Sequence, residues 1–465
     1  MRPISLTQLR HVTGAEVISS PREEGIFVHS VCTDTREMRE QSLFVALTGE
    51  RFDGNEFLSQ AAAGGAIAAL IDRVPAAPPL RMHLLKVENV RSAMGRLARF
   101  VRQQMRGRVI AVAGSNGKTS TKHLIGAVLR DPLYGTISPK SFNNDIGVPL
   151  AIFPADPMQD YLVLEIGTNH PGEVSNLTAI AMPDIAVITN CSAEHLEGLG
   201  DVDGVRRENA SLIEGLSPGG LLLVNGDDPQ LVRAVEGFQG RRVTFGFLPG
   251  NDLQVTEIAC NDSGVRFKVN QIDETVFVPL LGRHTAANAL AAIAVGREMG
   301  MSDHKMIENL AQARGPEMRL ELEEWGEVRV LNDAYNANPA SMKAAIETLA
   351  GLPATGRRVA VVGEMRELGA ASESLHREIG RFIAEDFPPD LLVCVGPMGE
   401  MIAAEARRSG LAGDRVEYFP DAAAACAVTR RLRRGDLVLL KGSRAVRLET
   451  VARAIQADCA AGRAP

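Results

Sequence analysis

The stretch VIAVAGSNGKTSTKHL, Val109 to Leu124, decides the fold. Val109–Ala113 is a short apolar run, the pattern of a buried strand. Gly114, Ser115, Asn116 and Gly117 interrupt it, and Lys118, Thr119, Ser120 and Thr121 open a helix. A strand, a glycine turn and a helix start make a phosphate cradle. The free N–H groups of the first helical turn face the anion, and the helix dipole favours it. Lys118 adds a point charge for the β- and γ-phosphates, and the Thr119 hydroxyl is placed to ligate Mg²⁺. The loop is shorter than the usual GxxxxGK[ST]: Val112 stands five positions before Gly117, and Gly114 only three before it. The alternative, a glycine turn with a chance lysine, leaves the order strand, turn, Lys-Thr, helix unexplained.

Around this centre, residues 109 to about 314 alternate between strand and helix patterns. YLVLEIG (161–167), DIAVITN (184–190) and LLLVNGDD (221–228) are apolar runs, each followed by a polar loop. That is the pattern of a mostly parallel sheet whose ligands sit at its carboxyl edge. Glu165 ends the first of these strands, where a second Mg²⁺ ligand would sit, and His195 follows the next in a glycine-rich loop. The runs between 243 and 280 (VTFGF, LQVTEIAC, GVRFKV, TVFVPL) alternate like antiparallel strands, and a helix is expected over Thr285–Glu298.

Before the centre, Ser5 is a candidate N-cap for a helix carrying Leu6, Leu9 and Val12. Strands are expected over Ile26–Cys32, 42–47 and 66–71, and helices over Phe57–Gly64 and 88–105. Asp34-Thr35-Arg36 reads equally well as a surface turn with a salt bridge. The basic run Arg102–Arg108 is expected to be a solvated link. After the centre, strands over 328–335, 357–365, 390–396 and 436–442 alternate with helices, and a last helix spans about Ala445–Ala460. Val361-Val362-Gly363-Glu364 opens like a dinucleotide turn, but GxGxxG is absent, so this unit is expected to be Rossmann-like without that cofactor. Arg319 could reach a γ-phosphate, and Asp333 a nucleotide, if this unit closes over the phosphate loop.

The expected fold class is therefore α/β in three domains. A small α/β N-terminal domain covers 1–106, a central P-loop mononucleotide-binding α/β domain 107–314, and a C-terminal Rossmann-like α/β domain 315–465. The net charge of −7 argues against nucleic acid as a partner. Six scattered cysteines, without metal or redox spacing, read as reduced thiols. The N-terminal MRPISLTQLRHVTG lacks an apolar signal region, and no run reaches the roughly 18 apolar residues of a membrane span. A cytoplasmic protein is expected.

Together these residues resemble the Mur ligase family of ATP-dependent amide-bond-forming enzymes over nearly the whole chain. The resemblance rests on DTR (34–36), SLFVALTGERFDGNEF (42–57), GSNGKTSTK (114–122), SFNNDIGVP (141–149) and LEIGTNHPGEV (164–174). It continues through HLEGLG (195–200), GRHTAANALAA (282–292), NDAYNANPASM (332–342), VVGEMRELG (361–369) and KGSR (441–444). GSNGKT is shared with folylpolyglutamate synthases, whereas NNDIGVP, DAYNANP and GEMRELG point to the dipeptide-adding member.

The resemblance implies ATP and Mg²⁺, and UDP-N-acetylmuramoyl-tripeptide and D-alanyl-D-alanine as substrates of a monomeric enzyme. Gly114, Ser115, Asn116, Gly117, Lys118, Thr119 and Ser120 would hold phosphates, and Asn288 would contact adenine. Thr119, Glu165 and His195 would bind Mg²⁺, and Arg319 and Asp333 would reach ATP from the last domain. Lys118, Glu165, His195, Arg319 and Asp333 would form the catalytic set. Thr35, Arg36 and the 44–55 loop would contact the uridine diphosphate, with Asn143, Asn144 and Asn336 as further substrate contacts. Another Mur ligase, a folylpolyglutamate synthase-like ligase and a signalling P-loop NTPase are the competing readings. The chain departs from the family in one respect: the lysine expected on the helix after HLEG, which carries a carbamate in relatives, is missing. An ungapped count puts Asn209 in its place, beside Glu208, and no lysine occurs between Lys140 and Lys268.

Overall fold

The strand Arg108–Ala113 lies inside the middle sheet, parallel to Tyr161–Glu165 on one side and Ile185–Ile188 on the other. Val109 to Ala113 are all fully buried, which is why this segment is apolar without alternation. The computed structural model describes residues 1–19, 25–49, 52–76, 79 and 82–461. Glu50 and Arg51, within the loop expected to contact the uridine diphosphate, lie outside the described residues.

Among the described residues the middle sheet has nine strands. From Gly135–Ile137 at one edge they run through Tyr161–Glu165, Arg108–Ala113, Ile185–Ile188, Leu221–Asn225 and Arg241–Gly246 to a meander over 253–278. The antiparallel expectation for 243–280 holds only for that meander. Arg241–Gly246 pairs parallel with Leu221–Asn225, and Leu253–Asn261 joins it in parallel through two residues before the hairpins begin. Alternation could not separate these cases, since strand direction is set by the partner.

The N-terminal unit carries a five-stranded sheet in the order Glu16–Ser19, His83–Lys86, Ala66–Ile71, Ser42–Val45, Ser30–Cys32, counted over the described residues. The single strand expected over Ile26–Cys32 is two: Phe27–Val28 pairs with Ile4–Ser5, and Ser30–Cys32 with Ser42–Val45. Ser5 caps the helix Leu6–Thr13 in a capping box with Gln8. The helix Val90–Arg102 buries Val90, Met94, Leu97 and Val101, as its spacing requires. One apolar cluster runs from Leu6 and Leu43 through Met94 to Val109 and Ile188, so the first two units share a core.

Arg102 corrects the expectation of a solvated basic link. It is 8% exposed. Its guanidinium donates to the carbonyls of Ala181 and Met182 and to Asp184 Oδ2 at 2.7 Å. The charge pins the end of one helix to the start of a strand in the middle sheet.

The C-terminal unit has six strands among the described residues. Val328–Asp333, Leu437–Lys441, Arg358–Gly363, Leu391–Val395 and Val416–Phe419 are parallel in that order, and Glu321–Trp325 is an antiparallel edge. Separate apolar clusters cover its two faces. The edge strands 321–325 and 416–419 escaped the sequence reading because they are short and carry charged residues. No helix among the described residues is long and apolar enough to cross a membrane.

Candidate active site

The turn after Ala113 approaches its neighbours too closely for any side chain at two positions. Gly114 has φ 127°, and a Cβ there would lie 2.2 Å from Thr189 Oγ1. Gly117 has φ 81°, and its Cβ would lie 2.7 Å from Asn288 Oδ1. The polar loop after the adjacent strand clamps the turn. Thr189 Oγ1 and Asn190 Nδ2 donate to the Asn116 carbonyl at 2.6 and 2.8 Å, and Asn116 N donates to Asn190 Oδ1 at 3.0 Å. Ser192 N donates to Ser115 Oγ at 2.9 Å. Helix Lys118–Leu129 then starts with its first N–H groups at the mouth of a cavity. The Lys118 ammonium donates to the Gly114 and Ser115 carbonyls and lies 3.9 Å from Glu194 Oε1.

Glu165 sits one strand over, 1% exposed. Thr119 Oγ1 donates to its Oε2 at 2.9 Å, the Lys122 ammonium to the same oxygen at 3.2 Å, and Asn143 Nδ2 to Oε1 at 3.0 Å. Lys122 is fully buried and also bonds the Lys140 carbonyl. Burial pushes its pKa down, while Glu165 works in the opposite direction. Lys122 shares a helix face with Thr119 at i, i+3, a signal present in GKTSTK that the sequence reading did not use. Asn143 is thus a brace for Glu165 as well as part of the cavity wall. Asn144 accepts at Oδ1 from the N–H groups of Ile146 and Gly147 at the start of helix Gly147–Ile152.

The last domain closes the cavity. Asn338 Nδ2 donates to Asn116 Oδ1 at 2.8 Å, and the Tyr335 hydroxyl to Ser141 Oγ at 2.7 Å. Arg319 stacks on the Tyr335 ring, 4.3 Å from its centroid. Asp333 pairs with the buried Lys441 at 2.8 Å and accepts from Leu320 N. Lys441 also donates to the Asn336 carbonyl at 2.8 Å. His195 Nδ1 bonds Glu367 of the last domain, and its Nε2 lies 3.9 Å from Glu194 Oε2. The hydrogen bond from His195 holds the Glu367 carboxyl below its usual pKa.

The cavity, open on one side, measures about 860 Å³. It gathers the phosphate-loop residues from Ser115 to Ser120 with Asn143, Asn144, Glu165, His195, Asn288, Arg319, Asp333 and Asn336. Gly114 does not line it. Thr35 and Arg36 are not brought there: they lie in a turn of the N-terminal unit, Thr35 half-buried and Arg36 exposed, where Arg36 pairs with Asp34 at 2.6 Å. Lys122, Glu194, Tyr335, Asn338, Glu367 and Lys441 are site residues the sequence reading missed. Glu194 adjoins His195, and Lys441 ends a strand. Glu367 lies in the GEMRELG stretch, but nothing local pairs it with His195, 172 positions away.

Neither Glu208 nor Asn209 reaches the cavity. Glu208 caps the helix Glu173–Ala181, accepting from Gly172 N and Val174 N at 2.8 Å each. Asn209 donates to Val205 O on its own helix at 2.9 Å. Asn209, which the ungapped count puts in the place of the family's lysine, therefore offers no oxygen to the cavity.

Fold and site define an α/β nucleotide-binding protein whose phosphate loop is roofed by a second α/β domain. Family models match three stretches: Mur ligase family, catalytic domain (27–102), Mur ligase middle domain (112–296), and Mur ligase, glutamate ligase domain (318–444). The chain belongs to the Mur ligase family. It is 36% identical to the UDP-N-acetylmuramoyl-tripeptide–D-alanyl-D-alanine ligase of Bacillus subtilis, over 93% of this chain and 94% of that protein. MurF from Acinetobacter baumannii superposes with a TM-score of 0.88 at 30% identity, over 98% of this chain and 99% of the other. MurF ligase from Thermotoga maritima in complex with ADP gives 0.82 at 27% identity, over 94% and 99%.

Proposed function

We propose that this chain is an ATP-dependent ligase that joins D-alanyl-D-alanine to UDP-N-acetylmuramoyl-tripeptide. The carrying observation is the single cavity in which the Lys118–Thr119–Glu165 cradle faces Arg319 and Asp333 of the closing domain. The full-length similarity to ligases of that name supports the same reading.

The donor set fits a nucleotide. Asn288 Nδ2 is buried without a hydrogen-bond partner at the phosphate loop, an unmet donor that an adenine nitrogen would satisfy. For Mg²⁺, the Thr119 hydroxyl and Glu165 carboxylate supply hard oxygens side by side, as that ion requires. Among the described residues no group of three or more His, Cys, Asp or Glu side chains is arranged to hold a metal ion by itself. Thr119, Glu165 and His195 would hold the ion, with phosphate and water filling the remaining positions. When bound, Mg²⁺ neutralises phosphate charge. No lysine carbamate takes part in this arrangement.

In the proposed reaction a carboxylate oxygen of the tripeptide attacks the γ-phosphorus and ADP leaves, giving an acyl phosphate. The dipeptide amine attacks the carbonyl carbon, and the tetrahedral intermediate collapses with loss of phosphate. Lys118 and Arg319 offset charge on the transferring group, and closure positions the reactants and excludes water. Residues 1–106 bind the uridine diphosphate and 315–465 the dipeptide, around the central 107–314. The enzyme works in the cytoplasm as a monomer.

The test is phosphate release from ATP with UDP-N-acetylmuramoyl-tripeptide, with and without D-alanyl-D-alanine. Release that requires the dipeptide, with formation of the pentapeptide, is expected. Release indifferent to any amino acceptor would favour a hydrolysing NTPase.

A further inference from the structure

His195 and Glu367 meet across the boundary between the central and last domains. Both are non-glycine residues in the left-handed region, at φ 49° and 64°. The contact is also made backbone to backbone: Glu197 N donates to the Glu367 carbonyl at 3.2 Å. Gly369 lies so close that a Cβ there would stand 3.3 Å from Glu197 Cα. Segment 367–369 is therefore seated on segment 195–197. Left-handed backbone at two non-glycine residues persists only where the surroundings hold it, and such sites cluster where geometry serves function.

The ring is held from one side only. Nδ1 is engaged by the Glu367 carboxylate, while Nε2 lies 3.9 Å from Glu194 Oε2, beyond hydrogen-bonding distance. His195 lines the cavity that holds Thr119 and Glu165. A histidine that ligates a metal gives its other ring N–H to a carboxylate or carbonyl, which fixes the tautomer and ring orientation and makes the ligating nitrogen more basic. Here that carboxylate belongs to a different domain.

We infer that Glu367 is a positioning residue that orients His195 toward the metal only when the last domain is closed, so that domain closure and cation binding are linked. The inference rests on the reading of His195 as a Mg²⁺ ligand. Linkage is reciprocal: the cation stabilises the closed form by the factor by which closure tightens the cation.

The experiment titrates Mn²⁺ into the full chain carrying one equivalent of ADP, read by loss of the free-ion EPR signal. Glu367→Ala is expected to weaken Mn²⁺ about 10- to 100-fold, and Glu367→Gln by less, since the amide oxygen still accepts from Nδ1. In a His195→Ala background, Glu367→Ala should cost nothing further. Glu367 is 54% exposed at its side chain, so both variants should fold, which thermal melting checks. Unchanged Mn²⁺ affinity in Glu367→Ala, with weakening in His195→Ala, would overturn the inference and leave His195 a ligand. So would additive losses in the double variant. Unchanged affinity in His195→Ala would remove both the ligand reading and the inference.

Discussion

Lys122 carries a charge with no solvent access, and its side chain bonds Glu165 and the Lys140 carbonyl. Removing one member of a buried pair costs about 3–5 kcal/mol, because the other is left buried and under-satisfied. Glu165 would keep Thr119 and Asn143, so Lys122→Met should lose about 3 kcal/mol, read as a lower urea midpoint. Lys118 differs: it donates to loop carbonyls and is placed for phosphate. Lys118→Ala should keep stability within about 1 kcal/mol yet lower turnover about 100-fold or more, measured by phosphate release. His123, the next residue after Lys122, has its pKa pushed down to about 4 by burial first and Lys122 second. Its unfolded value is near 6.5, so between these values the unfolded chain binds the extra proton. The contribution is intact above about pH 6.5 and declines as pH falls toward 4. Urea unfolding at pH 7 and pH 5 should show a smaller drop for His123→Gln than for the unsubstituted chain.

At the scale of elements, the helix Val90–Arg102 couples the first two units through packing and through its last residue. Gly95 admits the side chain of Ile180, where a Cβ would stand 2.8 Å from Cδ1. Arg102 bonds two helix-terminal carbonyls and Asp184, whose Oδ2 also accepts from Val109 N at 2.8 Å. Arg102→Ala should cost about 3 kcal/mol in chemical denaturation, through an unpaired Asp184 and unbonded carbonyls. Arg102→Lys should recover less than half of it, because one ammonium cannot span three acceptors in a fixed fork. Full recovery by lysine would show that charge alone matters there.

For the whole molecule, the cavity exists because the last domain sits on the phosphate loop. Across that boundary run Asn338 to Asn116, Tyr335 to Ser141 and Glu367 to His195. These contacts are polar, with Leu281 packed into the last domain's apolar cluster beside them, and interfaces between domains of this mixed kind open and close. Small-angle scattering should show the free chain more extended than its complex with UDP-N-acetylmuramoyl-tripeptide and a non-hydrolysable ATP analogue. Identical profiles would mean that the closed form is already the resting state.

What the sequence by itself determined is what neighbours along the chain can encode. The strand–turn–helix of 109–124, the cap at Ser5 and the buried face of the 90–102 helix follow from spacing and residue type. The sequence also put Glu165 at the end of a strand, but its bond to Thr119 needed the parallel pairing of that strand with Arg108–Ala113. Only the tertiary structure decided the rest: that Arg241–Gly246 pairs parallel, that Arg102 is buried, that Lys441 backs Asp333, and that Glu367 holds His195. Strand direction and charge pairing depend on partners brought near by folding, 82 positions away for Arg102 and 172 for His195. Local periodicity records how much of a side chain must leave water, not which distant group will meet it there.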